Sequence, residues 1–163
     1  PGSDPLENSS LVEQPRAPVL FLTSATTDIN TLSACLQSKS CENWHERIRA
    51  IPLSSLSHPA QIDHYLSTTA SDARIILIRL LGGKEHWSYG LEELIAWQSK
   101  KGNREVIICS GTKDHEIELG ELSSIDIDTS NYLARLLREG GVENMKVLLI
   151  NKNLKQKLQQ LQL

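Results

Sequence analysis

No stretch of this chain stays apolar for the roughly 20 residues that a membrane span requires. Its start has neither the basic nor the apolar region of a secretory signal. Positive charge is not in excess, with 17 Lys and Arg against 20 Asp and Glu, a net charge of −3 and a pI near 6.0. That balance gives no reason to expect nucleic acid or an acidic membrane surface as a partner. Cysteine is scarce. Cys35, Cys41 and Cys109 are odd in number and lack C-x-x-C spacing, so they read as reduced thiols of a cytoplasmic protein, Cys109 inside an apolar strand.

The signatures of several chemistries are missing as well. Gly83-Lys84 is followed by Glu85, and Ile78 stands where a phosphate loop needs its first glycine. There is no G-x-G-x-x-G. A phospho-receiver would need carboxylates after the first and third strands, where Thr23-Ser24 and Leu81-Gly82 stand instead. The five histidines show neither H-E-x-x-H nor a pair four residues apart, so no metal ligand set is assigned; His86 is the best placed of them, by virtue of its loop. No catalytic residue is assigned either.

What remains is an ordinary globular composition, 39% hydrophobic and 23% charged, in 163 residues, enough for one domain with a proper core. The chain is organised around Arg74 to Gly90. Its first half is a short β-branched apolar run, the mark of a strand covered on both faces; its second is a loop opened by Gly82-Gly83 and furnished by Trp87 and Tyr89. Leu91, Leu94 and Ile95 then recur at helical spacing. Strand, glycine turn and helix in that order build ligand sites at the carboxyl edge of an α/β sheet. Arg79 is a cation in an apolar run, so it needs a carboxylate, a carbonyl or an anionic ligand.

Residues 1–17 carry Pro1, Pro5 and Pro15 without periodicity and read as a disordered lead-in, Pro1-Gly2-Ser3 as a cloning scar. Residues 18–163 read as one α/β domain, a fragment of a longer protein. Val19 to Ala25 is a first strand, followed by a helix with Ile29, Leu32, Cys35 and Leu36 on one face and Thr27 or Asp28 as its cap. Lys39 to Glu46, with Trp44, is a polar connection. Arg47 to Leu53 is a strand that Pro52 assigns to an edge. Ser57-His58-Pro59 starts a helix through Ile62 and Leu66. After the strand ending at Leu80, a helix runs from about Tyr89 to Lys101 and stops at Gly102-Asn103, and Glu105 to Ser110 is a fourth strand. Thr112 to Asp128 is an exposed acidic connection with room for a short turn of helix, Ser130 to Glu139 a helix ended by Gly140-Gly141. Val147, Ile150, Leu154, Leu158 and Leu161 recur at steps of three and four, which predicts one helix there rather than a fifth strand.

The alternation predicts a flavodoxin-like, doubly wound parallel sheet of about four strands, in the order 2-1-3-4, with flanking helices. Its switch point brings Ser24 to Asp28 and Gly82 to Tyr89 around one crevice. The candidate ligand-binding residues are therefore Ser24, Asp28, Arg79, Gly82, Gly83, Trp87 and Tyr89. Each also has a structural reading: a tight turn for the glycines, cover for the sheet end or a domain seam for Trp87 and Tyr89, an ion pair with Asp28 for Arg79.

Val19-Leu20-Phe21-Leu22-Thr23-Ser24-Ala25-Thr26-Thr27-Asp28, Leu56-Ser57-His58-Pro59-Ala60-Gln61-Ile62-Asp63 and Arg79-Leu80-Leu81-Gly82-Gly83 with Trp87-Ser88-Tyr89-Gly90 together resemble the start of the CobN family, the large subunits of aerobic, ATP-dependent cobaltochelatases. The acidic segment and Gly140-Gly141-Val142-Glu143-Asn144 fit the same family, and the resemblance spans nearly all of residues 18–150. It implies an N-terminal domain of a much larger subunit. It implies insertion of cobalt into hydrogenobyrinic acid a,c-diamide, a tetrapyrrole, in cobalamin biosynthesis, with ATP-Mg hydrolysed by the AAA+ partners CobS and CobT and no cofactor held by this fragment. With neither a phosphate loop nor an evident base cluster, the isolated chain is expected to insert no cobalt and to hydrolyse no ATP. The related magnesium chelatase H subunit, acting on protoporphyrin IX, is the alternative, and a noncatalytic α/β docking module is a third reading.

Overall fold

A computed structural model describes residues 10–160. Four strands, β1 (Val19–Thr23), β2 (Ile48–Pro52), β3 (Ile75–Leu80) and β4 (Glu105–Ser110), form one sheet in the order β2-β1-β3-β4. All pairings are parallel, with Val19 opposite both Ile48 and Ile75, and Ile75 opposite Glu105. The flavodoxin-like order expected from the sequence is the one observed. Helices α1 (Thr26–Leu36), α2 (Pro59–Ser67) and α3 (Ser88–Lys100) follow the first three strands. After β4 come α4 (Glu116–Gly120), α5 (Ile127–Glu139), α6 (Val142–Leu149) and α7 (Lys152–Gln160).

Alternate strand residues go to two separate cores. Leu20, Leu22, Ile76, Ile78 and Ile108 face α2 and α3, meeting Ile62, Tyr65, Leu94 and Trp97. Phe21, Leu77, Ile107 and Cys109 face the other side, under Leu32, Trp44, Leu133 and Leu148. With both faces covered, β3 has no use for polar residues until its end, which is why it reads as an unbroken apolar run. Ile76 and Leu77 lie on an inner strand and are buried. Their amides should therefore be among the slowest to exchange hydrogen; exchange as fast as at Leu53 to Leu56 would contradict this placement.

β4 is a sheet edge, yet its exposed ladder is occupied. The Ser124 and Ser123 hydroxyls accept from the backbone N–H of Val106 (2.7 Å) and Ile108 (2.8 Å), so side chains do the work of a fifth strand. The segment expected to be an exposed acidic connection is thus fitted to the sheet, with Leu119 of α4 fully buried. The short helical turn allowed for there is α4; what the sequence does not reveal is its buried side, because five residues offer no period to read. Asp126 caps α5, accepting from the backbone N–H of Thr129 at 2.9 Å, so that helix starts at Ile127 rather than Ser130. Thr129 holds the Asp126 carboxyl below its ordinary value, so the cap's contribution is lost only as pH falls through that lowered value.

Other expectations need correction. Residues 10–17 are an irregular strap on the core: the Gln14 side-chain amide donates to Ala50 O (2.9 Å), the Gln14 backbone carbonyl accepts from the Thr69 hydroxyl, and Ala17 is buried. Residues 1–9 of the expected lead-in lie outside the described residues. Lys39–Trp44 is a 3-10 turn that buries Cys41 and Trp44, because a polar segment can still spend its few apolar residues inward. β1 ends at Thr23, and the α1 N-cap is Ala25 without a side-chain bond; neither Thr27 nor Asp28 caps it. The C-terminal helix is two helices, broken at Ile150-Asn151. Met145, Leu148 and Leu149 face inward while Val147 and Ile150 are exposed, so the stripe expected to be continuous changes face at the break. Asn151 caps the second piece, accepting from the N–H of Asn153 at 3.0 Å. Leu161 lies outside the described residues, and the side chain of Leu158 does too.

Candidate functional site

The carboxyl ends of β1 and β3 are adjacent, with Thr23 opposite Arg79. The chain leaves β1 through Ser24, whose N–H donates to Arg79 O at 2.9 Å and whose hydroxyl accepts from the Leu81 N–H at 3.2 Å. One turn into α1, Asp28 reaches back over the strand ends. Its carboxylate accepts from Arg79 Nη1 at 2.8 and 3.0 Å and from the Thr23 hydroxyl at 2.7 Å. The two side chains keep only 12% (Arg79) and 7% (Asp28) of their surface exposed, and Arg79 Nε is buried without a hydrogen bond. The cation of the apolar run has a carboxylate partner across the switch point. The pair is neutral and largely dry, so a ligand carboxylate could reach Arg79 only by displacing Asp28.

Of the seven candidate residues, the structure brings Ser24, Asp28 and Arg79 into direct contact at the crevice. Gly82 stands at the turn leaving β3 with φ +90°, a backbone that L residues avoid, and Gly83 follows in an extended conformation. Trp87 and Tyr89 stand apart from the crevice. Trp87 is buried in the core beside α2, its indole N–H donating to Leu56 O at 2.8 Å. Its ring fits because Gly90 has no side chain: a Cβ there would lie 2.2 Å from Trp87 Cε2. Tyr89 turns to the groove between α2 and α3, a space of about 520 Å³ that Asp63, Glu93, Trp97 and Arg104 also line.

Tyr89 donates to Asp63 Oδ1 at 2.6 Å, and this bond pushes its phenol up to about 12. In Asp63→Ala the phenol should therefore titrate close to its free value of ~10, read as the rise in tyrosinate absorbance after rapid mixing to alkaline pH. An unchanged midpoint would mean that another neighbour sets it.

Sequence reasoning missed two arginines. Arg104 is buried over the Trp97 ring (4.3 Å) and donates to Trp97 O and Ser71 O, and burial lowers its pKa. Arg138 donates to Ser110 O at the end of β4 and pairs with Glu116 of α4 at 3.2 Å. Neither interrupts an apolar strand run as Arg79 does, so nothing in the sequence distinguishes a covered cation from a solvated one. Beside these closed pairs the same edge shows apolar surface. Leu81, just past β3, is 43% exposed and Ile117 of α4 is 68% exposed. The Lys84 N–H, donating to Glu118 at 3.4 Å, ties the Gly82-Gly83 loop to α4. Among the described residues no three His, Cys, Asp or Glu side chains converge as a metal-holding group. No helix of the described residues is long and apolar enough to cross a membrane.

No family model matches this chain. It is 29% identical over 136 residues to the aerobic cobaltochelatase subunit CobN of Sinorhizobium sp., covering 83% of this chain and 10% of that protein. It is 32% identical over 89 residues to the CobN subunit of Pseudomonas aeruginosa, covering 55% of this chain and 7% of that one. Among solved structures it matches the catalytic subunit of cobaltochelatase from Mycobacterium tuberculosis, with a TM-score of 0.61 and 25% identity over 82% of this chain and 10% of that chain. The chain thus spans about a tenth of the length of these relatives. The resemblance to the cobaltochelatase large subunits read from the residues is borne out.

Proposed function

We propose that this chain works as a domain of a cobaltochelatase large subunit, at its N-terminal end, and that its part in cobalt insertion is architectural. Two observations support this reading together. The similarity to CobN proteins runs over most of the chain but only a tenth of theirs. And two charge pairs at the carboxyl edge, Asp28–Arg79 and Glu116–Arg138, are largely buried and closed on themselves. Removing a tetrapyrrole's inner protons needs free bases in a closed cavity; here the edge offers neutral pairs flanking the apolar Leu81 and Ile117. That composition suits a seam to the remainder of the large subunit. Cobalt and the ring, in this reading hydrogenobyrinic acid a,c-diamide, are held by that remainder, and ATP-Mg is hydrolysed by the AAA+ partners CobS and CobT. The chain itself holds no cofactor and works in the cytoplasm.

The test uses the complete subunit that carries this sequence, with its ATPase partners. It should insert cobalt into the corrin ring in an ATP-dependent manner, while the isolated chain should do neither step. Leu81→Asp with Ile117→Asp should cut insertion at least tenfold while leaving the isolated chain's circular dichroism unchanged. Insertion of magnesium into protoporphyrin IX instead would assign the other chelatase branch. Full activity of the doubly charged variant would remove the seam from this edge.

A further inference from the structure

Cys35, in the last turn of α1, and Cys41, in the 3-10 turn that follows, point their thiols at one another with 3.2 Å between the sulfurs. Both side chains are fully buried, in the core beneath α6. We propose that Cys35 and Cys41 are an oxidative modification site: a two-electron oxidant of the disulfide class converts them to an intramolecular disulfide that the fold favours. The inference is independent of the proposed function.

Three observations support it. The sulfurs need to approach by only about 1.2 Å to reach the ~2.05 Å of a disulfide. The backbone between them is already turned, with the Ser38 and Cys41 N–H groups donating to Cys35 O and Ser38 O, so closing the bond asks for little rearrangement. And the site is dry. Burial and the neighbouring thiol push Cys35 up to about 12, so a charged thiolate is disfavoured there, whereas a disulfide carries no charge and no unused donor. Cys109 lies elsewhere on the same face, fully buried, with its thiol toward Ser130 O at 3.7 Å.

The step balances with a small disulfide such as oxidised glutathione. One protein thiol, deprotonated when the short 3-10 turn opens, attacks a sulfur of the oxidant and releases one small thiolate. The second protein thiolate attacks the mixed disulfide at the protein sulfur and releases the other. Two protein S–H groups are oxidised by two electrons, and the oxidant is reduced to two thiols. Burial makes this slow in the closed state.

Equilibration in glutathione redox buffers tests the proposal, with free thiols trapped by acid and alkylated before peptide mass mapping. In native buffer a peptide pair joined through Cys35 and Cys41, two hydrogens lighter than its reduced form, should appear. Its equilibrium constant should exceed that of the same chain in 8 M urea, the unfolding denaturant, by at least about tenfold, the linkage expected when a native fold favours a bond. By the same linkage the oxidised chain should melt about 5 °C higher than the reduced one. A Cys109→Ala chain should behave identically. A constant no larger than in urea, a lower melting point on oxidation, or joining through Cys109 would each overturn the proposal.

Discussion

Asp28→Ala should lower the stability of this domain by about 3–5 kcal/mol, the cost of leaving a buried cation without its partner. The carboxylate it removes takes both bonds that Arg79 Nη1 makes and the one from the Thr23 hydroxyl. Among the described residues the nearby Ser24 hydroxyl cannot replace it, being already engaged with the Leu81 N–H. The Arg79 side chain is only 12% exposed, so water screens it poorly. In urea unfolding the midpoint should fall with the slope unchanged. Asp28→Leu with Arg79→Met removes both charges and replaces them with apolar volume; this pair should sit within about 1–2 kcal/mol of the parent, because the pair's own desolvation cost goes with it. A loss under 1 kcal/mol for Asp28→Ala would show that Arg79 finds another partner or water, and would leave the crevice open to a ligand.

Why this pair could be read in advance, and other features could not, follows from how each is written in the chain. Four apolar runs separated by turn residues and helical stretches specify a parallel sheet, since only strands covered on both faces can dispense with alternation. Arg79 then stood out by contrast, and Asp28 by the topology that sets the first βα turn beside the third strand. Contrast is what the missed features lack. Arg104 and Arg138 lie outside the apolar strand runs, and their partners, Trp97 O and Ser110 O, reach them only through the tertiary fold. The edge-capping Ser123 and Ser124 look like any loop serines until β4 is beside them.

The C-terminal stripe shows a different failure. Val147, Ile150 and Leu154 keep helical spacing on paper, but a period fits any phase if the helix is allowed to continue through Asn151. That residue was the available signal: an asparagine whose side chain can accept from the next turn is a preferred N-cap, and a cap inside a period means two helices. The aromatic loop carries a similar signal. Trp87 belongs to a loop at a sheet edge, where sites gather, yet Gly90 stands three residues on, inside a helix. A glycine there costs about 1 kcal/mol against alanine unless packing requires it, so its presence already pointed to a ring lying against the helix.

That packing leads to the second large effect. Gly90→Ala should destabilise the domain by about 2–4 kcal/mol although alanine is the better helix former. A Cβ on Gly90 would lie 2.2, 2.3 and 2.4 Å from Cε2, Cδ2 and Cζ2 of Trp87, well inside contact distance for carbon. The obstacle is a rigid ring rather than the end of a flexible chain, and it is fixed by its N–H bond to Leu56 O at 2.8 Å and by burial. The methyl group must therefore push the indole out of its place, forfeiting a share of the ~3–5 kcal/mol that a buried aromatic ring contributes. Helix propensity returns about 1 kcal/mol of that loss. The decisive measurement is the same substitution with the ring removed. In a Trp87→Leu background the added methyl meets a smaller, movable side chain, and only the propensity term survives, so Gly90→Ala should become neutral or stabilising by up to about 1 kcal/mol. Urea midpoints of the four chains give both numbers. A change of sign between the two backgrounds shows that Gly90 is kept for Trp87; an equal effect in both would mean that the glycine serves the turn into α3 and not the ring.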